Sequence, residues 1–121
     1  MSYEGPSCLR ERIVGRTTVV ELRGEMDLLT APVISAYLDS LTAAPEPDVV
    51  IDLQYLSFID CSGLSVLCRA RSRVRERGGR LALVLNNPQV HRTLRLAGVL
   101  RFFDVLDSGP RAVRDSGDTA G

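Results

Sequence analysis

Two apolar runs, Val49-Val50-Ile51-Asp52-Leu53 and Leu81-Ala82-Leu83-Val84-Leu85, restrict this chain more than any other feature it has. A strand with one wet face alternates apolar and polar residues. These runs are apolar at nearly every position, which requires cover on both faces. The stretch between them supplies part of that cover. Leu64, Leu67, Ala70 and Val74 recur at helical spacing on one side, Arg69, Arg73 and Arg77 form a ridge away from it, and Gly78-Gly79 provides a stop. Strand, helix and strand in alternation argue for a layered α/β domain.

The flanks extend the pattern. Residues 9–14 and 17–23 read as a hairpin around Gly15-Arg16. Thr30 is the predicted N-cap of a first helix, with Pro32 in its first turn. Val33, Ala36, Tyr37 and Leu41 form its predicted inner face, and Pro45 and Pro47 lie beyond its end. A third helix is predicted over 88–97 and a short last strand over 102–106. The expected fold is a single α/β domain over residues 8–107, with a mixed sheet of four to five strands and helices packed against it. Residues 1–7 are expected to be flexible. The Gly-, Pro-, Asp- and Ser-rich tail over 108–121 is expected to be disordered.

Composition narrows the function. At 121 residues the chain fits one modest core. Fifteen basic residues, all Arg, balance fifteen acidic ones, so the overall attraction for phosphate that supports most nucleic-acid binding is missing. No apolar run approaches the ~20 residues that span a bilayer, and Met1-Ser2-Tyr3-Glu4-Gly5-Pro6 has no basic-then-apolar pattern. A cytoplasmic protein without a membrane partner is expected. Cys8, Cys61 and Cys68 are odd in number and lack metal-ligand spacing, which predicts reduced thiols. His91 stands alone, without companions for a metal site. Gly78-Gly79 is not followed by the Lys and Ser or Thr of a phosphate loop. No cofactor, metal or nucleotide hydrolysis is expected.

The chemistry concentrates in Ser57-Phe58-Ile59-Asp60-Cys61-Ser62-Gly63-Leu64, where a carboxylate, a thiol, a hydroxyl and a glycine crowd the start of the second helix. A helix N-terminus presents unpaired N–H donors and positive dipole, so it favours a phosphate or a thiolate. The plainer reading is capping: Asp60 or Ser62 accepts the first free N–H groups and the thiol merely packs.

That run resembles the motif of STAS domains, the family of bacterial anti-sigma factor antagonists: Asp, a phosphorylated Ser, a second Ser or Thr, then Gly and Leu. Arg23-Gly24-Glu25-Met26-Asp27 through Thr30-Ala31, Gly78-Gly79, and Asn87-Pro88-Gln89-Val90 running into Leu96-Ala97-Gly98-Val99 agree in order and spacing. The resemblance implies a non-enzymatic switch. An anti-sigma factor with a serine-kinase fold would be bound through Asp27, Asp60, Cys61, Ser62 and Gly63, releasing a sigma factor and so regulating transcription. Phosphorylation by that partner would break the complex and a phosphatase would restore it. Gly63 is expected to permit close approach of the partner's backbone.

One position departs from the motif. Cys61 occupies the family's acceptor position, which leaves Ser62 as the phosphoacceptor candidate. The substitution is open to three readings: a silent replacement, a constitutive antagonist, or an oxidant-responsive thiol opposed by neighbouring Asp60. Asp27 likewise reads as a partner contact or as a loop cap, and the arginine ridge as a solvated face or as a contact for an acidic partner. Small STAS domains also resemble subunits of a lipid-transporting ABC complex, which need no phosphoswitch. Cys61 as an enzymatic nucleophile lacks a resolving Cys or an evident base.

Overall fold

Gly15, at φ +62°, opens a two-residue turn that joins β1 (Leu9–Val14) to β2 (Thr17–Leu22) as an antiparallel hairpin, with Val14 opposite Thr17. A positive φ at the first central position matches the right-handed twist of the paired strands, and glycine adopts it without a Cβ clash. The computed structural model describes residues 8–110. After the hairpin come β3 (Gly24–Met26), α1 (Ala31–Leu41), β4 (Asp48–Asp52), β5 (Leu56–Ile59), α2 (Cys61–Glu76), β6 (Arg80–Val84), α3 (Pro88–Leu96), a 3-10 turn (Leu100–Phe102) and β7 (Asp104–Leu106).

The main sheet has the order β1-β2-β4-β6-β7, antiparallel at the first pair and parallel at the other three. This is the mixed sheet expected, with the Val49–Leu53 run as its central strand. Val49, Ile51 and Leu53 face the core shared with the helices, while Val50 packs with Val19 and Val84 in a smaller cluster. Cover on both faces explains the unbroken apolar run. The one carboxylate in it, Asp52, is buried, and its two oxygens accept from the backbone N–H and side-chain amide of Gln54 at 3.0 and 2.8 Å.

The second sheet was not anticipated. β3 and β5 pair in parallel, Met26 opposite Ile59, and are too short and too interrupted by glycine and serine to show a strand period. The last strand is shorter than expected, because Phe102 belongs to the 3-10 turn. The tail expectation lies outside the described residues from 111 onward, as does that for residues 1–7.

The first helix turns a different face inward from the one predicted. Ala31, Ile34, Tyr37 and Leu38 are buried, whereas Val33 and Ala36 are exposed. Ile34 and Leu38, one turn apart, set the stripe, and Tyr37 lies at its edge with its hydroxyl donating to Glu11. α2 buries Gly63, Val66, Leu67, Ala70 and Val74. It ends in a Schellman arrangement: Gly78, at φ +69°, donates to the Arg75 carbonyl at 3.1 Å and Gly79 to that of Val74 at 2.9 Å.

Arg69 and Arg73 do not form a free ridge. Arg69 makes a two-pronged contact with Asp39 of α1 at 2.9 and 3.0 Å. Arg73 donates to the Thr42 hydroxyl and to the Asp39 carbonyl, at 2.9 and 2.8 Å, where α1 runs out of internal partners. The hydrogen bond from Arg69 holds the Asp39 carboxyl below its ordinary value. A depressed carboxylate contributes stability above its unfolded pKa of about 4 and loses it as pH falls through the folded value. Asp39→Asn should therefore lower the neutral plateau of the stability–pH curve slightly, because the pair is exposed, and flatten the fall below about pH 4, so that the two proteins converge at low pH. Urea midpoints measured across that range check it.

Candidate functional site

The β3–β5 register places two chain reversals side by side. Met26 and Ile59 are paired, so the residues that follow them, Asp27 and Asp60, leave the same end of the small sheet together. The backbone N–H of Asp60 donates to the Met26 carbonyl at 3.2 Å and ties the reversals to each other. Asp60 then caps α2, and Asp27 caps the turn that leads into α1. Asp60 Oδ1 accepts from the N–H groups of Ser62 and Gly63 at 2.8 and 3.3 Å. Asp27 Oδ1 accepts from those of Leu29 and Thr30 at 3.0 and 3.1 Å.

Thr30 holds the N-cap position that its sequence context suggested, but its side chain does not do the capping. It has helical φ/ψ and no side-chain cap bond, and its hydroxyl accepts from the Asp27 N–H and donates to the Glu25 carbonyl, at 3.0 and 2.9 Å. Asp27 supplies the acceptor two and three residues ahead, as a capping side chain does. Asn retains that acceptor and Ala does not. Asp27→Asn should change stability by less than about 0.5 kcal/mol, whereas Asp27→Ala should cost about 1 kcal/mol. Thermal melts of the two variants check this.

The five residues singled out in the sequence lie at this double corner, in different environments. Cys61 is exposed at the first position of α2. Ser62 is half-buried, and its hydroxyl takes part in none of the side-chain hydrogen bonds among the described residues. Gly63 is buried, and the crowding it relieves is internal. A Cβ there would stand 2.6 Å from Ile59 Cγ1, 2.8 Å from the Met26 carbonyl oxygen and 2.9 Å from Met26 Cγ. Close packing of α2 on the β3–β5 pair is thus a reason within the fold itself for glycine at 63.

The corner also has an apolar component that sequence reasoning missed. Leu28 and Leu29, in the reversal after Asp27, are 73% and 85% exposed, and Phe58 on β5 is 48% exposed. The pair Leu28-Leu29 between a strand end and a helix start was a readable signal, since neither leucine fits the helical stripe of α1. Phe58 was not readable, because its outward direction follows from the unrecognised strand. Phe58 and Ile59 adjoin Gln89, Val90, Arg92 and Thr93 of α3 around a cleft of about 250 Å³. Asn87 positions that helix, capping it at Gln89 and Val90 and donating to the Leu56 carbonyl of β5.

Chemically the corner combines two carboxylates, an exposed thiol and a hydroxyl with exposed apolar side chains. The aspartates already take two N–H groups at each reversal, and among the described residues no group of three His, Cys, Asp or Glu side chains could hold a metal ion. No helix among them is long and apolar enough to cross a membrane. Exposed leucines and an aromatic ring beside two carboxylates form the kind of mixed patch that another protein covers.

A mixed five-stranded sheet with helices packed against it and a small second sheet at the double corner define a small layered α/β domain. The chain belongs to the STAS domain family, whose model matches residues 10–112. An anti-sigma F factor antagonist of Paenibacillus polymyxa is 29% identical over 98 residues, 80% of this chain and 84% of that protein. The crystal structure of an anti-sigma factor antagonist from Mycobacterium paratuberculosis superposes with a TM-score of 0.78 at 24% identity, covering 98% of this chain and all of that one. The anti-sigma factor antagonist SpoIIAA in its unphosphorylated form gives a TM-score of 0.67 at 21% identity, covering 91% of this chain and 94% of that one. The phosphorylated form of SpoIIAA, from Bacillus, gives 0.64 at 21% identity, covering 81% and 90%.

Proposed function

We propose that this protein is a non-enzymatic regulator of transcription, an anti-sigma factor antagonist that occupies an anti-sigma factor with a serine-kinase fold and so frees a sigma factor. The observation that supports the reading most directly is the exposed Leu28, Leu29 and Phe58 grouped around the Asp27 and Asp60 corners. A surface of that kind gains by burial against a protein and has no evident use in water. The named antagonists among the relatives point the same way.

Asp27, Asp60, Cys61 and Ser62 form the polar part of the contact, and Gly63 acts beneath it. Ser62 is the hydroxyl that accepts a phosphoryl group from the partner, and a phosphatase removes it. Two negative charges placed next to Asp60 in a dehydrated contact have no cation to pair with, so the modified protein dissociates. The protein acts in the cytoplasm, where such partners are found.

Capture of partners from the native lysate, with mass spectrometry of residues 57–69, tests the proposal. Recovery of a kinase-fold anti-sigma factor and a phosphoryl group on Ser62 is the expected result. Recovery of a transporter ATPase instead would overturn the antagonist reading in favour of a transporter subunit.

A further inference from the structure

The zero net charge conceals a strong separation. From Cys8 to Asp60 the chain has nine acidic residues and four arginines, whereas from Cys61 to Phe103 it has nine arginines and Glu76 as the sole acid. Asp39 reaches across to hold Arg69 and Arg73. The remaining carboxylate contacts among the described residues go to Arg12 and Arg23 of the hairpin side. Arg71, Arg75 and Arg101 have none.

Two of these unpaired guanidiniums converge on one ring. Arg71 Cζ lies 5.3 Å from the Phe102 ring centroid and Arg101 Cζ 4.9 Å from it, while Arg71 Nε also donates to the Phe102 carbonyl. Phe102 is still 45% exposed. Arg75 lies one turn beyond Arg71 on the same side of α2. The ring fixes guanidiniums that would otherwise lose freedom on binding, and their planar forks suit carboxylates.

We propose that Arg71 and Arg101, set about Phe102, together with Arg75 one turn along α2, form a second interaction surface that takes an acidic polypeptide segment of a partner protein. Carboxylates engage the guanidiniums and an apolar side chain lies on the ring. The combination of Arg and aromatic anchors is that of protein contacts. A long nucleic acid is disfavoured because the fifteen basic residues of the chain are balanced by fifteen acidic ones. Arg71 is ten residues from Cys61 along α2, roughly 15 Å of helix axis. The surface is therefore separate from the corner, and both can be engaged at once.

The test is an NMR titration of the isotope-labelled full chain with a synthetic peptide in which glutamates alternate with leucine and phenylalanine. Shifts should concentrate at Arg71, Arg75, Arg101 and Phe102. Binding should weaken about tenfold in Arg75→Glu/Arg101→Glu and fall with added salt. Both arginines are exposed, and Arg75→Gln/Arg101→Gln provides a milder pair should charge reversal disturb the fold. Absence of shifts, or shifts centred elsewhere, overturns the proposal. So does tighter binding of a thymidine oligonucleotide at the same residues, or concentration-dependent self-association that Arg101→Gln abolishes.

Discussion

Gly63→Val should lower the stability of this domain by about 3 kcal/mol or more, at the upper end of overpacking substitutions. Its thermal midpoint should drop by roughly 10 °C or more. The reason is positional. A Cβ at 63 would meet Ile59 Cγ1, Met26 Cγ and the Met26 carbonyl oxygen, all within 3 Å. The two side chains can give way in part, but the carbonyl cannot, because it accepts the Asp60 N–H and anchors the β3–β5 pair to the reversal. Even Gly63→Ala should cost about 1–3 kcal/mol, although alanine is the better helix former by about 1 kcal/mol. Gly15→Ala provides the contrast. A Cβ there has nothing within 4 Å, so its cost is only that of holding φ +62°, about 1–2 kcal/mol. Urea unfolding of the three variants measures the order, and a Gly63→Val protein with the parent midpoint would refute the packing argument. A loss of partner binding in Gly63→Val therefore reports on the fold beneath the contact.

The layered fold was legible because its central strands declare themselves. Val49 to Leu53 and Leu81 to Leu85 are apolar throughout, and only a sheet covered on both faces accommodates that. The hairpin and the stop of α2 were legible for a related reason: glycine at φ +62° and +69° marks reversals that other residues resist. The helix faces were less so. In α1 two candidate stripes differ by about one residue, and only the packing of Ile34 and Leu38 into the core decides between them.

The site was legible in its residues and obscure in its assembly. Asp60, Cys61 and Ser62 stand together in the sequence, but Asp27 lies far from them along the chain. It reaches them through a three-residue strand, whose pairing no local propensity announces. Phe58 was hidden by the same omission. The arginine ridge was misread because ion pairing between helices depends on where α1 lies, and Asp39 gives no sign in the sequence of facing Arg69.

The double corner also allows fold and recognition to be separated by one substitution. Cys61→Glu places a carboxylate at an exposed first position of α2. There the helix dipole favours it by about 0.3–1 kcal/mol, and repulsion from Asp60 offsets part of that gain. The stability of the free protein should therefore stay within about 0.5 kcal/mol of the parent. The proposed complex should respond very differently. A charge pressed into a contact that holds Asp27 and Asp60 costs several kcal/mol, since it is both dehydrated and opposed by like charge. Affinity for the captured anti-sigma factor should fall by about a hundredfold or more. Cys61→Ser, which adds no charge, should bind within about twofold of the parent. It should also become a substrate at position 61 when the partner and ATP are present, because it restores a hydroxyl directly after Asp60. Calorimetric titration and mass spectrometry of the three proteins read both effects. Unchanged affinity in a folded Cys61→Glu protein would remove the start of α2 from the interface and leave Leu28, Leu29 and Phe58 to be assigned to some other contact.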